Sequence, residues 1–322
     1  MKLKTLFLSG FLLMGVHTLY AQQDPKFTQF YFNKVMINPA AAGVHNNFCA
    51  TVFQRVQWTG FKGAPLTTQV TIDGNLKQFL GGKHDVGVGI TVFNDMIGFF
   101  RNTGLRVSGA YRFKVGPGRF GVGAEFGMLN QGLNNAQWIS NNPNDPNIPQ
   151  GGPSTIFDAG LGVYYSTDKW YAGISSLHLP SMRLRELNVR QTRHYYIMGG
   201  YTFKAIGGNP NWDLSPNALI KTDFAAVQFD VNCNVIFKQR YWGGLAYSFQ
   251  DNVALNLGAT VIQKPKWNLS AGYSYDLTTS RILKFSSGSH EVMLRYCFII
   301  NQNPPSGGGV RVRDLDSKRD LD

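Results

Sequence analysis

The chain has 322 residues, of which 16% are charged, against about a quarter in ordinary soluble domains. Its formal charge of +12 comes from scattered Lys and Arg, which fits anionic head groups and basic turns; without a basic cluster it excludes a nucleic-acid face. A mean hydropathy of −0.17 means the apolar residues are dispersed. Past the N-terminus no apolar run reaches the roughly eighteen residues of a membrane helix.

Residues 1–21 read as a signal peptide. Lys2 and Lys4 supply the positive start, residues 6–16 the apolar centre, and Ala21 the small residue before a cut at Gln22. No Cys follows that cut, so a lipid anchor there is not expected. Residues 22–46, with DPKFTQFYFNKVMINPAAAG, do not alternate cleanly, and Pro39 breaks any regular element. Two placements fit this pre-barrel segment: across the periplasmic mouth of a barrel, or packed inside it as a plug.

From residue 47 to 300 the pattern has a period of two. In 267–277, Trp267, Leu269, Ala271, Tyr273, Tyr275 and Leu277 share one face, and Asn268, Ser270, Gly272, Ser274 and Asp276 the other. Successive strand side chains point to opposite faces, so each run has one apolar and one polar side. About fourteen such runs follow one another, at 48–58, 66–73, 86–93, 105–114, 120–128, 157–165, 170–176, 195–203, 214–220, 227–237, 241–249, 253–261, 267–277 and 292–298. Repetition of this kind in an exported chain predicts an all-β fold: a transmembrane antiparallel barrel of an outer membrane, with lipid outside and an even strand number. With a periplasmic N-terminus, connections after even strands should be short. Those at 116–118, 167–169, 238–240 and 264–266 are, whereas 204–211 is the exception.

Inward polar residues such as Arg106, Arg112, Glu125, Asp230 and Asn232 fit either a pore lining or a network of paired charges filling the lumen. The turn after the first strand, Trp58 to Pro65, uses Gly60 and Gly63 for unusual dihedrals and Pro65 to open the next strand. The loop 130–155 is dense in Asn, Asp, Pro and Gly, the composition of turns. Its stretch 141–147 lacks the Gly and terminal Glu of a calcium loop. Residues 301–322 form a charged periplasmic tail with the composition of a flexible segment.

Cys49, Cys233 and Cys297 are odd in number and show no metal spacing. Cys233 continues an apolar face and is expected to face lipid. Cys297 shares the face of Glu291 and Arg295. A disulfide between any two is compatible with the pattern, and nothing in it demands one. No catalytic motif occurs, and Ser289 and His290, as strand neighbours, point to opposite faces. No catalytic residue, metal site or cofactor is expected.

Four stretches resemble one family. QQDPKFTQFYFNKVMINPAAAG, VQWTGFKGAPLTTQVTIDG, FDAGLGVYYSTDKWYAGISSLHL and GSHEVMLRYCF occur in order across nearly the whole mature chain. They resemble the PorP/SprF family of type IX secretion membrane proteins of Bacteroidota. The resemblance implies a non-catalytic outer-membrane barrel that works with the secretion and gliding machinery. It implies help in exporting or anchoring a cell-surface adhesin or other cargo with a type IX C-terminal domain. Outer-membrane lipid, that adhesin, and periplasmic ring or peptidoglycan-associated components are the implied partners. The family-motif positions, as possible partner contacts, are Asn38, Pro39, Gly43, Trp58, Gly60, Gly63, Ala64 and Pro65. The rival expectation is an outer-membrane channel or porin for small solutes. A lumen blocked by the N-terminal segment or by paired side chains would disfavour it.

Overall fold

Side-chain alternation becomes wall geometry: strand neighbours in sequence become neighbours in space, each antiparallel to the last. A computed structural model describes residues 24–45, 47–60, 62–133, 153–184 and 189–298. The strands are β1 (Phe48–Val56), β2 (Leu66–Asn75), β3 (Asp85–Ile97), β4 (Phe100–Val115), β5 (Gly118–Leu133), β6 (Ser154–Ser166), β7 (Trp170–Leu177), β8 (Arg183–Leu184), β9 (Val189–Arg190), β10 (His194–Tyr201), β11 (Trp212–Thr222), β12 (Val227–Phe237), β13 (Tyr241–Ser248), β14 (Asn252–Lys264), β15 (Trp267–Thr278) and β16 (Ser289–Phe298). Fourteen of them close into one barrel, with β1 hydrogen-bonded to both β2 and β16. β8 and β9 form a separate two-stranded hairpin in the connection between the barrel neighbours β7 and β10.

All the alternating runs lie in this wall. Their apolar residues point out, as at Ile90, Val107, Phe126 and Leu245, and their polar residues point in. An outward apolar, inward polar wall is stable only with hydrocarbon outside. Cys233 is a free, exposed residue on that outer face.

Three boundaries differ from the sequence reading. The hairpin of β3 and β4 continues past the apolar run, through Asn94 opposite Thr103 and Asp95 opposite Asn102, to a turn at Gly98. Alternation fades there because outward Asn94 accepts hydrogen bonds from Arg101 and Thr103. β1 stops at Val56 rather than Trp58, which takes a left-handed φ of 51°. The long connection 202–211 contains a single 3-10 turn, Ile206–Gly208, closed by a bridge between Phe203 and Leu214.

The first and last strands meet in register, with Cys49 opposite Cys297, and the two form a disulfide with a Cα–Cα distance of 4.0 Å. The sequence left this pairing open. It exists only because barrel closure brings residues 248 positions apart into one cross-strand pair.

The segment from Asp24 to Val44 lies inside the barrel. It contains a 3-10 turn (Phe30–Phe32), one short helix, α1 (Lys34–Ile37), and a second 3-10 turn (Pro39–Ala41). Its direction is set by its partners. Lys26 meets Asp251, in the β13–β14 connection on the rim formed by connections after odd strands. Gly43 meets Asp73 near the end of β2, at the rim where β1 begins. The segment therefore threads the lumen lengthwise, and Asp24 sits at the rim opposite the start of β1. The first of these is the loop rim, where Asp24 and Asp251 lie; the second, where β1 begins, is the terminus rim.

Candidate functional site: the plugged lumen

The inner wall is shaped to the plug. A Cβ on Gly123 of β5 would collide with the backbone of Ala40, and one on Gly162 of β6 with the side chain of Asn38. Asn38 is fully buried; its amide donates to the carbonyls of Val163 (2.9 Å) and Ile174 (3.3 Å), and its Oδ1 accepts from Ala40 N (2.9 Å). One side chain thus caps the second 3-10 turn and fastens it to β6 and β7. Apolar contacts fill the space between: Phe27 against Phe53 and Met293, and Met36 against Phe93, Leu129 and Ile156. The weak alternation of β1 follows from Phe53, whose ring lies 5.1 Å from that of Phe27.

Replacing Gly123 by Val should expel the middle of the plug at a cost of about 1–3 kcal/mol, the range for overpacking a filled interior. The expected readout is protease cleavage within residues 24–44 while the barrel stays closed on a gel. Gly109→Ala, whose Cβ meets nothing within 4 Å, should leave the plug protected.

Beside the pairing of Lys26 with Asp251 and Asp230, three ion networks tie the plug to the wall. At the loop rim, His178 lies between two carboxylates, with Nε2 2.7 Å from Asp24 and Nδ1 2.9 Å from Asp158. The Arg106 guanidinium lies 3.5 Å from Asp24, 3.6 Å from Glu125 and 3.5 Å from Asp158. Tyr196 donates its hydroxyl to Asp24, and Lys221 Nζ donates to the Asp24 carbonyl (3.3 Å). In the second network, Arg55 binds Asp276 at 2.7 Å and Glu291 at 3.0 Å, while Glu291 accepts the backbone amides of Thr28 and Gln29. At the terminus rim, Arg112 joins Asp85 to the Ala42 carbonyl.

Burial opposes ionisation of Asp24, but His178, His194 and Lys221 outweigh it and hold the carboxyl well below its usual range. A depressed carboxylate stabilises fully above its unfolded value, near 3.9, and loses that contribution as pH falls through the folded value. The contribution of Asp24 to plug retention should therefore stay level from neutral pH to about pH 4 and weaken only in stronger acid. Asp24→Asn should abolish the acid-sensitive step, measured as amide exchange of the plug against pH.

Asp24, His178 and His194 offer donor atoms within 4.8 Å of one another, the spacing of a metal site. The arrangement fits an ion network better. Both His178 nitrogens already face carboxylates, and Arg106 Nη2 stands 3.5 Å from His178 Nε2, where it supplies the cation.

The inward residues read as a possible pore lining, Arg106, Arg112, Glu125, Asp230 and Asn232, are all buried. A cavity of about 30 Å³ lies between the plug and the wall, lined by Asp24, Lys26, Phe30, Tyr196, Lys221 and Asp230, with room for a water or two. Among the motif positions, Asn38, Pro39 and Gly43 are buried in the plug. Trp58, Gly60, Gly63, Ala64 and Pro65 stand in the β1–β2 loop on the loop rim. Gly60 (φ 124°) and Gly63 (φ 86°) take the left-handed conformations expected of that turn. The loop is tied to its neighbours through Thr59 N to Gly288 O (2.7 Å) and Gly98 N to Gly63 O (3.0 Å). Ala21, Gln22, the 141–147 stretch and the tail lie outside the described residues. Sequence reasoning missed Asp24, Thr28 and Gln29 as anchors; their signal was polar residues set among Phe27, Phe30 and Phe32 with no period.

A family model described as type IX secretion system membrane protein PorP/SprF matches residues 19–296. The chain belongs to the PorP/SprF family. No curated protein is significantly similar to it in sequence. Solved structures similar to this PorP/SprF member include a Pseudomonas aeruginosa FadL homologue (11% identity, TM-score 0.48, covering 86% of this chain and 95% of that one). The Pseudomonas putida toluene transporter TodX is similar at 10% identity and TM-score 0.48 (84% and 94% covered), and Acinetobacter baumannii Omp33 at 9% and 0.43 (79% and 98% covered). Barrel and family together make this an outer-membrane β-barrel of a secretion system.

Proposed function

We propose that this PorP/SprF barrel is a non-catalytic part of the type IX secretion and gliding machinery. In this reading it is exported with its leader removed between Ala21 and Gln22. It helps export a cell-surface adhesin or other cargo with a type IX C-terminal domain, or holds that cargo at the surface. The observation that carries the reading is the filled lumen. A barrel threaded by its own N-terminal segment acts through its rims and outer wall, not through its interior. The β1–β2 loop, with Trp58, Gly60, Gly63, Ala64 and Pro65, is the proposed cargo contact. Periplasmic ring or peptidoglycan-associated components are the proposed partners at the terminus rim. The Cys49–Cys297 disulfide supports an oxidising, extracytoplasmic location. The rival, a small-solute channel, is disfavoured by the plug.

The test joins a gentle-detergent pull-down from native cells with ion conductance of the purified barrel. Recovery of one large surface protein with a type IX C-terminal domain supports the adhesin role. Recovery of ring and peptidoglycan-binding components supports the core apparatus instead. Recovery of neither, with steady conductance by the intact barrel, overturns the proposal in favour of a channel.

A further inference from the structure

The short turns of the terminus rim carry a ring of basic residues. Lys114, Lys169, Lys238, Arg240, Lys264 and Lys266 are exposed in or beside the turns at 116–117, 167–169, 238–240 and 265–266. The one acid in these turns is Asp168. No ion pair ties any of the six cations to a carboxylate among the described residues.

Just inside these turns the wall turns aromatic pairs toward lipid. Tyr165 packs on Trp170 (5.1 Å between centroids), Trp212 on Phe237 (4.5 Å) and Trp267 on Tyr296 (5.6 Å). Such a girdle marks the level of the head groups. The basic side chains share that level. Lys238 Nζ lies 5.4 Å from the Phe237 ring and the Arg240 guanidinium 5.5 Å from the Tyr241 ring, which is exposed on the outer wall. Lys238 and Arg240 are thus placed on the outside of the barrel rather than over its mouth, and Lys264 stands opposite the outward Trp267.

We infer that the terminus rim is a binding collar for the phosphate head groups of anionic phospholipids. The occupant is lipid rather than a protein docked on the barrel axis, because Lys238 and Arg240 lie against outward aromatics at the interface and Lys264 is paired across the strands with outward Trp267. The loop rim also carries exposed cations, Lys62, Arg101, Arg193, Arg281 and Lys284, but Arg193 is bonded to the Leu179 carbonyl, and the rim holds Asp223 and Asp251, the latter bonded to Lys26.

The test is lipid selectivity of the full barrel, reconstituted with spin-labelled phosphatidylglycerol or phosphatidylcholine. The expected result is a preference of about tenfold for phosphatidylglycerol, given attraction on the order of fivefold per basic residue near an anionic surface and partial screening. Raising salt to about 0.5 M should collapse the preference, since the screening length then falls to a few ångströms. This measurement on the native barrel stands even where a variant inserts poorly. The variant K114E/K238E/K264E/K266E should lose the preference, and R101E/R281E/K284E should keep it. Equal binding of both lipids, or a preference that survives high salt, overturns the collar. Competition by millimolar inorganic phosphate overturns the lipid source and leaves a free-phosphate site.

Discussion

Arg55→Met is expected to lower the stability of the barrel by about 3–5 kcal/mol, the cost of stripping the cation from a buried ion cluster. Arg55 is 1% exposed; it spans from β1 to Asp276 on β15 and Glu291 on β16, and also donates to Thr28 of the plug at 2.8 Å. Without it, two fully buried carboxylates on neighbouring strands are left beside the closing seam with no cation across it, and Thr28 loses one of its bonds to the wall. The measurement is the urea midpoint of the detergent-solubilised barrel, with protease access to residues 24–44 as a second readout. The triple variant R55M/D276N/E291Q should recover most of the loss, because a neutral cluster of similar shape carries no uncompensated charge. A single variant within about 1 kcal/mol of wild type would mean that Arg55 is not the electrostatic centre of the seam.

Opening the seam covalently should have an effect of similar size. The Cys49–Cys297 disulfide closes a loop across 248 positions, and chain entropy assigns such a link about 5 kcal/mol. The β1–β16 ladder also pairs Phe48 to Val56 with Phe298 to His290 through the backbone, so Cys297→Ser should still form a closed barrel with a lower unfolding midpoint. Cys49→Ser should match it, and the double variant should add nothing further. Cys233→Ser, which alters a free cysteine on the lipid face, is the control and should match wild type. An unchanged midpoint in Cys297→Ser would show that strand pairing alone holds the seam. A loss of plug protection without a change in midpoint would place the role of the disulfide at His45 and Asp73, which lie beside it.

Much of the wall was legible because its cause is local. Val86, Val88, Ile90 and Val92 need a common lipid face, and a period of two supplies it whatever the rest of the chain does. The legibility ended where lipid did. At Asn94 and Arg101 the alternation is broken by polar side chains, and cross-strand hydrogen bonds carry the hairpin onward to the Ile97–Phe100 pair. In the candidate site, Asn38, Pro39 and Gly43 stood out by family pattern. Their work, however, depends on Gly123, Gly162 and Asp73, which lie far along the chain. Arg106 and Glu125 look the same in sequence whether they line water or bind a plug.

The sequence by itself thus determined a lipid-facing antiparallel barrel, its strand number and its short basic turns, because alternation and turn chemistry act over a few residues. Only the tertiary structure decided that the lumen is filled, that Asp24 reaches the loop rim, and that Cys49 pairs with Cys297. Each of these joins groups brought together only when the barrel closes, as when Lys26 meets Asp251 across 225 positions of chain. Burial then makes such pairings obligatory, since a charge left unpaired in the closed lumen costs several kcal/mol, roughly as much as the stability of the fold can bear.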